Sequence, residues 1–214
     1  MKNRLPPQPG EWIDRQRVLP FHFEDQQYEG LAGDVITSAL LAEGVQLLGR
    51  SFKYHRARGS YSLAGHDANV IVADTTNTNI HSDTTLLTSG LKLSAVNTTG
   101  GVRSDRLKFI SRLSKFLPVG FYYKTFHRPA KLFPFHERQI RKISGLGAIN
   151  PSWSTPNSPK DYAWCDVLVV GGGPAGLEAA LAAGKSGARV LIAEEGAQLG
   201  GSLLWQHGQA ELVT

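Results

Sequence analysis

The sequence predicts an α+β domain followed by the opening of an α/β domain. Three observations carry this. Near the N-terminus, two short alternating segments flank a turn and lead into a helix with an apolar stripe. Towards the other end, Val167-Leu-Val-Val170 runs straight into Gly171-x-Gly173-x-x-Gly176. Between them, residues 101–150 hold eleven Lys or Arg against two acids, Asp105 and Glu137.

Each element follows in order. Residues 1–17 are polar and proline-bearing and read as a partly extended arm. Residues 18–24 alternate as a half-buried strand does, residues 25–27 turn, and residues 28–31 return. Asp34 is placed to cap a helix whose stripe is Val35, Ile36, Ala39 and Leu40, and Gly44 to end it. Residues 45–48 and 69–73 read as further strands, and residues 84–93 as one strand or a short irregular segment. Hairpin, helix, then strands is the order of a β-grasp domain, the fold of plant-type ferredoxins. Residues 104–116 have helical spacing at Leu107, Ile110 and Leu113, continued by Leu117, and residues 133–143 read as a second helix. Residues 121–126 are aromatic. Pro151, Pro156 and Pro159 mark a linker over residues 150–160. The expected domains are residues 18–100 (β-grasp), 101–160 (basic connecting segment and linker) and 161–214 (truncated dinucleotide-binding domain).

Gly171, Gly172, Gly173, Pro174, Ala175 and Gly176 lie between an apolar strand and a helix, with a second strand over residues 188–194. This is the β-α-β opening of a Rossmann-type dinucleotide-binding domain. Gly171 allows the tight turn, Gly173 lets the backbone approach a pyrophosphate, and Gly176 lets the helix pack on the strands. The helix N-terminus then faces the phosphate. Glu194 comes 18 residues after Gly176 and suits ribose hydroxyls, favouring NAD, with FAD the alternative at the same site. Gly200 and Gly201 add a second glycine turn. Only 38 residues follow Gly176, too few for the remaining strands, so the chain reads as the front of a larger protein. On that reading the isolated chain is an inactive oxidase that binds NAD weakly or not at all, and its last ~50 residues are labile.

Composition narrows the function classes. The net charge is +5, 41% of residues are hydrophobic, and Cys165 is the one cysteine. A single thiol excludes a disulfide framework or a multi-cysteine metal site within one chain. No apolar run reaches the ~18 residues of a membrane span and the N-terminus lacks a signal-peptide core, so a soluble, cytoplasmic protein is expected, with no membrane contact. The basic stretch has no accompanying nucleic-acid motif, so nucleic acid is not an expected partner. His55 has no second ligand at metal spacing, and neither a metal site nor a catalytic residue is assigned. Cys165 and the aromatics Tyr122, Tyr123 and Phe126 read as packing residues. The run from Arg50 to Gly59, with Lys53, His55, Arg56 and Arg58, is either a contact for anionic groups or a partner subunit, or a solvated basic loop.

Longer strings carry a resemblance. Phe21-x-Phe-x-x-x-x-Tyr28, Gly33-Asp34, Ser38-Ala-Leu-Leu-Ala-x-Gly44, Arg50-Ser-Phe-Lys-Tyr-His-Arg-Ala-Arg-Gly59, Gly120-Phe-Tyr-Tyr-Lys-Thr-Phe126 and Ile140-Arg-x-x-x-Gly-Leu-Gly147 together resemble the α subunit of heterotetrameric sarcosine oxidase. Related α-type subunits serve hydrogen cyanide synthase and opine oxidases. The resemblance implies oxidative demethylation of sarcosine or a related secondary amine by a complex with β, γ and δ subunits. It implies NAD in the α subunit, with FMN and FAD elsewhere in the complex. Two departures, Ala57 in place of proline and His66-Asp-Ala-Asn69 after Gly65, point to a paralogue acting on another amine. Lacking thiolates in its first domain, the chain is expected to hold no iron–sulfur cluster. The competing readings are a non-catalytic ferredoxin-like docking module, an inactive gene fragment, and an α-type subunit of an opine or amino-acid dehydrogenase complex.

Overall fold

Every second residue of the segment 19–23 is apolar, which places Leu19, Phe21 and Phe23 on one buried face. The computed structural model describes residues 3–63, 65, 67–116, 120, 128–143, 149–152, 154, 157–196 and 198–204. In it these residues belong to strand β1 (Asp14–Phe23), paired antiparallel with β2 (Gln26–Ala32). Helix α1 (Ile36–Ala42) follows and buries Ile36, Ala39 and Leu40. It ends as expected at Gly44, whose φ of 83° suits glycine. There the Gly44 N–H donates to Leu41 O at 2.9 Å and the Val45 N–H to Leu40 O at 2.9 Å, the paired bonds of a Schellman end.

The start of α1 differs from expectation. Val35 is the cap position and no side chain caps it. Asp34 is buried one residue earlier, where it accepts from the Leu31 N–H at 2.8 Å and the Ser38 hydroxyl at 2.9 Å and pairs with Arg4. The arm is thereby tied down: the Asn3 N–H also donates to Ala42 O at 3.0 Å.

The short strands β3 (Gly49–Arg50) and β4 (Ala57–Arg58) pair with each other. β5 (Ile71–Ala73), β6 (Ile80–His81) and β7 (Lys92–Ala95) join β1 and β2 in a mixed sheet of order β2-β1-β7-β5-β6. β7 runs parallel to β1, and such a pair needs a crossover, part of which is α1. This is the mixed sheet of a ferredoxin-like domain. Its core joins Phe21, Phe23, Ile36, Leu40, Leu48, Val70, Val72 and Leu93, all nearly inaccessible.

Several expected strands are shorter or absent. Val45 and Leu48 are buried, yet residues 45–48 form no strand. Residues 68–70 form a 3₁₀ turn whose Asn69 N–H donates to the Asp67 carboxylate, and β5 starts only at Ile71. Within residues 84–93 only Lys92 and Leu93 belong to a strand, and Leu86 makes a lone bridge to Val35. A short apolar run signals burial and does not distinguish a strand from a buried loop. Residues Arg106–Phe116 are helical, but as a 3₁₀ run with none of them buried. Helix α2 (Phe133–Ile143) lies where expected. Leu117, the aromatic stretch 121–126, Gly145 and Gly147 lie outside the described residues.

The chain divides into two compact units, Met1–Trp153 and Ser154–Thr214. The second contains β8 (Val167–Val170), α3 (Pro174–Lys185) and β9 (Val190–Ala193), with β8 and β9 parallel in the register Val167↔Val190 to Val170↔Ala193. Val169 is buried, whereas Leu168 is 55% and Val170 81% exposed. One face of this two-stranded sheet is therefore open. Cys165, just ahead of β8, is half-buried. No helix among the described residues is long and apolar enough to cross a membrane.

Candidate functional site

The glycine turn between β8 and α3 is shaped by backbone constraints that particular residues meet. Gly171 has φ 99°, a conformation that side-chain-bearing residues rarely adopt. A Cβ on Gly176 would lie 1.9 Å from Gly171 O, so only glycine lets the first turn of α3 pass this close to the strand end. Gly173 is the cap of α3, and Pro174 occupies the first helical turn, where a missing N–H costs nothing. A Cβ on Gly173 would meet no atom within 4 Å, so the space over it is open. The Leu177 N–H closes the first helical bond to Gly173 O at 2.9 Å. Ala175 follows Pro174 in the same turn of α3.

Glu194 stands directly after β9 and reaches back to this turn. Its carboxylate accepts from the N–H of Gly172 and, at 2.7 Å, from that of Gly196. The Gly172 N–H, then those of Gly196 and Glu195, hold the Glu194 carboxyl below the usual carboxylate range against a smaller desolvation effect. Gly200 closes the far side by donating to Gly172 O at 2.7 Å, and Gly201 approaches Gly173 so closely that its own Cβ would lie 3.0 Å from Gly173 Cα. The structure thus brings Gly171, Gly172, Gly173, Pro174, Ala175, Gly176, Glu194, Gly200 and Gly201 into one turn region. Glu194 is already engaged with backbone donors, which spacing alone did not foretell.

Sequence reasoning missed a second cluster. His55, at φ 51°, is 1% exposed, and its Nδ1 lies 2.7 Å from Asp105 Oδ2. Asp105 Oδ1 accepts from the N–H of Thr99 at 3.0 Å and of Leu107 at 3.2 Å. His55 and Asp105 are 50 positions apart, so no local pattern announces the pair. Among the described residues no group of three or more His, Cys, Asp or Glu could hold a metal ion.

Comparison with known proteins supplies the wider context. A family model described as "2Fe-2S iron-sulfur cluster binding domain" matches residues 16–98, and one described as "FAD dependent oxidoreductase" matches residues 166–209. Sarcosine oxidase subunit alpha from Rhizobium meliloti (strain 1021) is 41% identical over 197 residues, covering 90% of this chain and 20% of that protein. The same subunit from Corynebacterium sp. (strain P-1) is 30% identical over 202 residues, covering 94% of this chain and 17% of that protein. A solved structure, L-proline dehydrogenase from P. horikoshii, overlaps 88% of this chain and 26% of its own at 18% identity, with a TM-score of 0.46. The chain spans about one fifth of the length of the first of these relatives.

The resemblance to the sarcosine oxidase α subunit is therefore borne out. The cofactor expectation is corrected. The match over residues 16–98 is to a cluster-binding family, which overturns the expectation of no iron–sulfur cluster. The chain's one cysteine, Cys165, lies outside residues 16–98, so that span has no thiolate of its own to offer a cluster, and no electron-transfer step is assigned to it.

Proposed function

From this kinship we propose that the chain forms part of the α subunit of a sarcosine-oxidase-like complex, and that its second unit opens a Rossmann-type site for an adenine dinucleotide. The observation that carries the nucleotide reading is the turn itself. Gly171 takes a glycine conformation, Gly176 passes under Gly171 O, and the space over Gly173 at the start of α3 is open. Backbone N–H groups at such a helix start attract a pyrophosphate. Gly171 to Gly176 hold the pyrophosphate in this reading, Glu194 takes the adenosine ribose, and Gly200 and Gly201 close the turn from the other side. The Glu194 carboxylate has about four lone-pair sites, and three backbone N–H groups leave room for a further donor. The FAD dependent oxidoreductase match favours FAD as the dinucleotide.

Bound FAD supplies two-electron redox chemistry. This chain's residues bind and orient it, and none is assigned a catalytic role. The substrate in the proposed complex is sarcosine or a related secondary amine, and the partners are its β, γ and δ subunits. The 214-residue chain is tested with FAD and with NAD by saturation-transfer NMR, which reports weak binding. The expected result is transfer to the adenine and ribose protons of FAD, lost in Gly173→Val with the backbone spectrum otherwise preserved. Equal transfer in wild type and Gly173→Val refutes the assignment, and stronger transfer to NAD replaces FAD with NAD.

A further inference from the structure

The basic loop of residues 50–59 has its partner in the 3₁₀ segment Arg106–Phe116 of the same unit. The two form the walls of a cleft of about 550 Å³, and Arg50, Arg56, Arg106, Lys108 and Arg112 line it. That volume falls within the usual range for small-molecule sites. Asp105, the one acid on the wall among the described residues, is fully buried, bonds His55, and forms no ion pair with these cations. Arg106, Lys108 and Arg112 have no acidic partner among the described residues. Phe109, 53% exposed, adds an aromatic ring to the lining.

A solvated basic face would leave its cations free to spread apart. Here hydrogen bonds around one buried pair, His55–Asp105, hold the backbone of the two walls together. Arg50 donates from Nε to Val102 O at 2.9 Å and from Nη1 to His55 O at 3.1 Å. His55 bonds Asp105, and Asp105 in turn receives the Thr99 and Leu107 N–H groups at the root of the 3₁₀ segment. The two backbone donors occupy Oδ1 of Asp105, and Nδ1 of His55 meets its Oδ2. His55 lines the same wall, and its buried Nε2 has no hydrogen-bond partner among the described residues. Holding like charges together is unfavourable unless a counter-charge joins them. Guanidinium forks match phosphate geometry in particular.

We propose that the cleft between residues 50–57 and 104–112 is a binding site for a phosphorylated small molecule, its phosphate or pyrophosphate held by Arg56, Arg106 and Arg112 over the buried His55–Asp105 pair. The site belongs to the first unit, and its assignment does not depend on the nucleotide turn.

The test uses the 214-residue chain, inorganic pyrophosphate as probe, and two-dimensional NMR with sodium chloride matched for ionic strength. Saturable shifts of the amides of residues 104–112 and of the His55 ring are expected with pyrophosphate and not with chloride. The double variant Arg106→Glu/Arg112→Glu, both positions exposed, should weaken binding by about tenfold or more. Arg56→Glu should weaken it independently. Gly173→Val should leave these shifts unchanged, which separates this site from the nucleotide turn. Shifts confined to residues 171–176, equal shifts with chloride, or undiminished binding in the charge-reversed variants overturn the proposal. Tight binding of an acidic peptide without competition by pyrophosphate also overturns it.

Discussion

The close approach of Gly176 to Gly171 O can be tested by adding one methyl group. In Gly176→Ala the new Cβ would start 1.9 Å from Gly171 O, 3.1 Å from Gly171 C and 3.3 Å from Val169 Cγ1. Real Cβ atoms are not found within 3.0 Å of such neighbours, and the nearest is backbone, which cannot rotate away as a side chain does. The first turn of α3 must therefore shift by more than an ångström from the end of β8. Overpacking of this kind costs about 1–3 kcal/mol, and a backbone obstacle places the cost near or above the top of that range. About 3 kcal/mol corresponds to roughly a hundredfold loss of protection. The assay is amide hydrogen exchange along β8, β9 and the first turn of α3, read beside the amides of β1 and β7. The expected result is faster exchange throughout the second unit and unchanged exchange in the first. Gly173→Ala is the control. Gly173 has φ −74° and an empty surround, so protection should be kept while dinucleotide contact is lost. Unchanged exchange in Gly176→Ala would refute the claim that this contact sets the turn.

Further outcomes follow from the same structure. Phe21→Ala, at the centre of the first core, should lower stability to urea by about 3–5 kcal/mol. Arg4→Ala leaves the buried Asp34 carboxylate without its cation and should cost about 3–5 kcal/mol, with less loss in Arg4→Ala/Asp34→Asn. Although burial opposes it, hydrogen bonds from the Tyr61, Asn69 and Ser62 N–H groups and the Asn69 side chain hold the Asp67 carboxyl below its usual range. Its contribution is therefore present above the unfolded-state value of about 3.9 and lost as pH falls through the lower folded value, so the acid loss of stability should shrink in Asp67→Asn. The Glu194 carboxyl, depressed by the Gly172 and Gly196 N–H groups, should titrate by carbon-13 NMR below the ordinary glutamate value of about 4.3. Brief proteolysis should cut residues 157–165 first, since they lack regular structure and are mostly exposed, and leave β1 to β7 intact.

What was legible in the chain was whatever local chemistry decides. The alternation at Leu19, Phe21 and Phe23 marked β1, and Gly44 marked the end of α1 because only a left-handed residue closes that helix cheaply. The spacing of Gly171, Gly173, Gly176 and Glu194 marked the β8–α3–β9 turn, since a tight strand-to-helix turn leaves few residue choices there. What tertiary structure decided depends on groups far apart in the chain. Asp34 reads locally as a helix cap, yet Arg4, 30 residues earlier, draws its carboxylate into a buried ion pair. Residues 45–48 look like a strand, yet the neighbours on both sides of β1 are already β2 and β7. His55 reads as an isolated basic-loop residue until folding brings it to Asp105 and sets five cations around one cleft. Period and glycine patterns report constraints within a few residues, whereas a buried charge takes its meaning from the partner that the fold supplies.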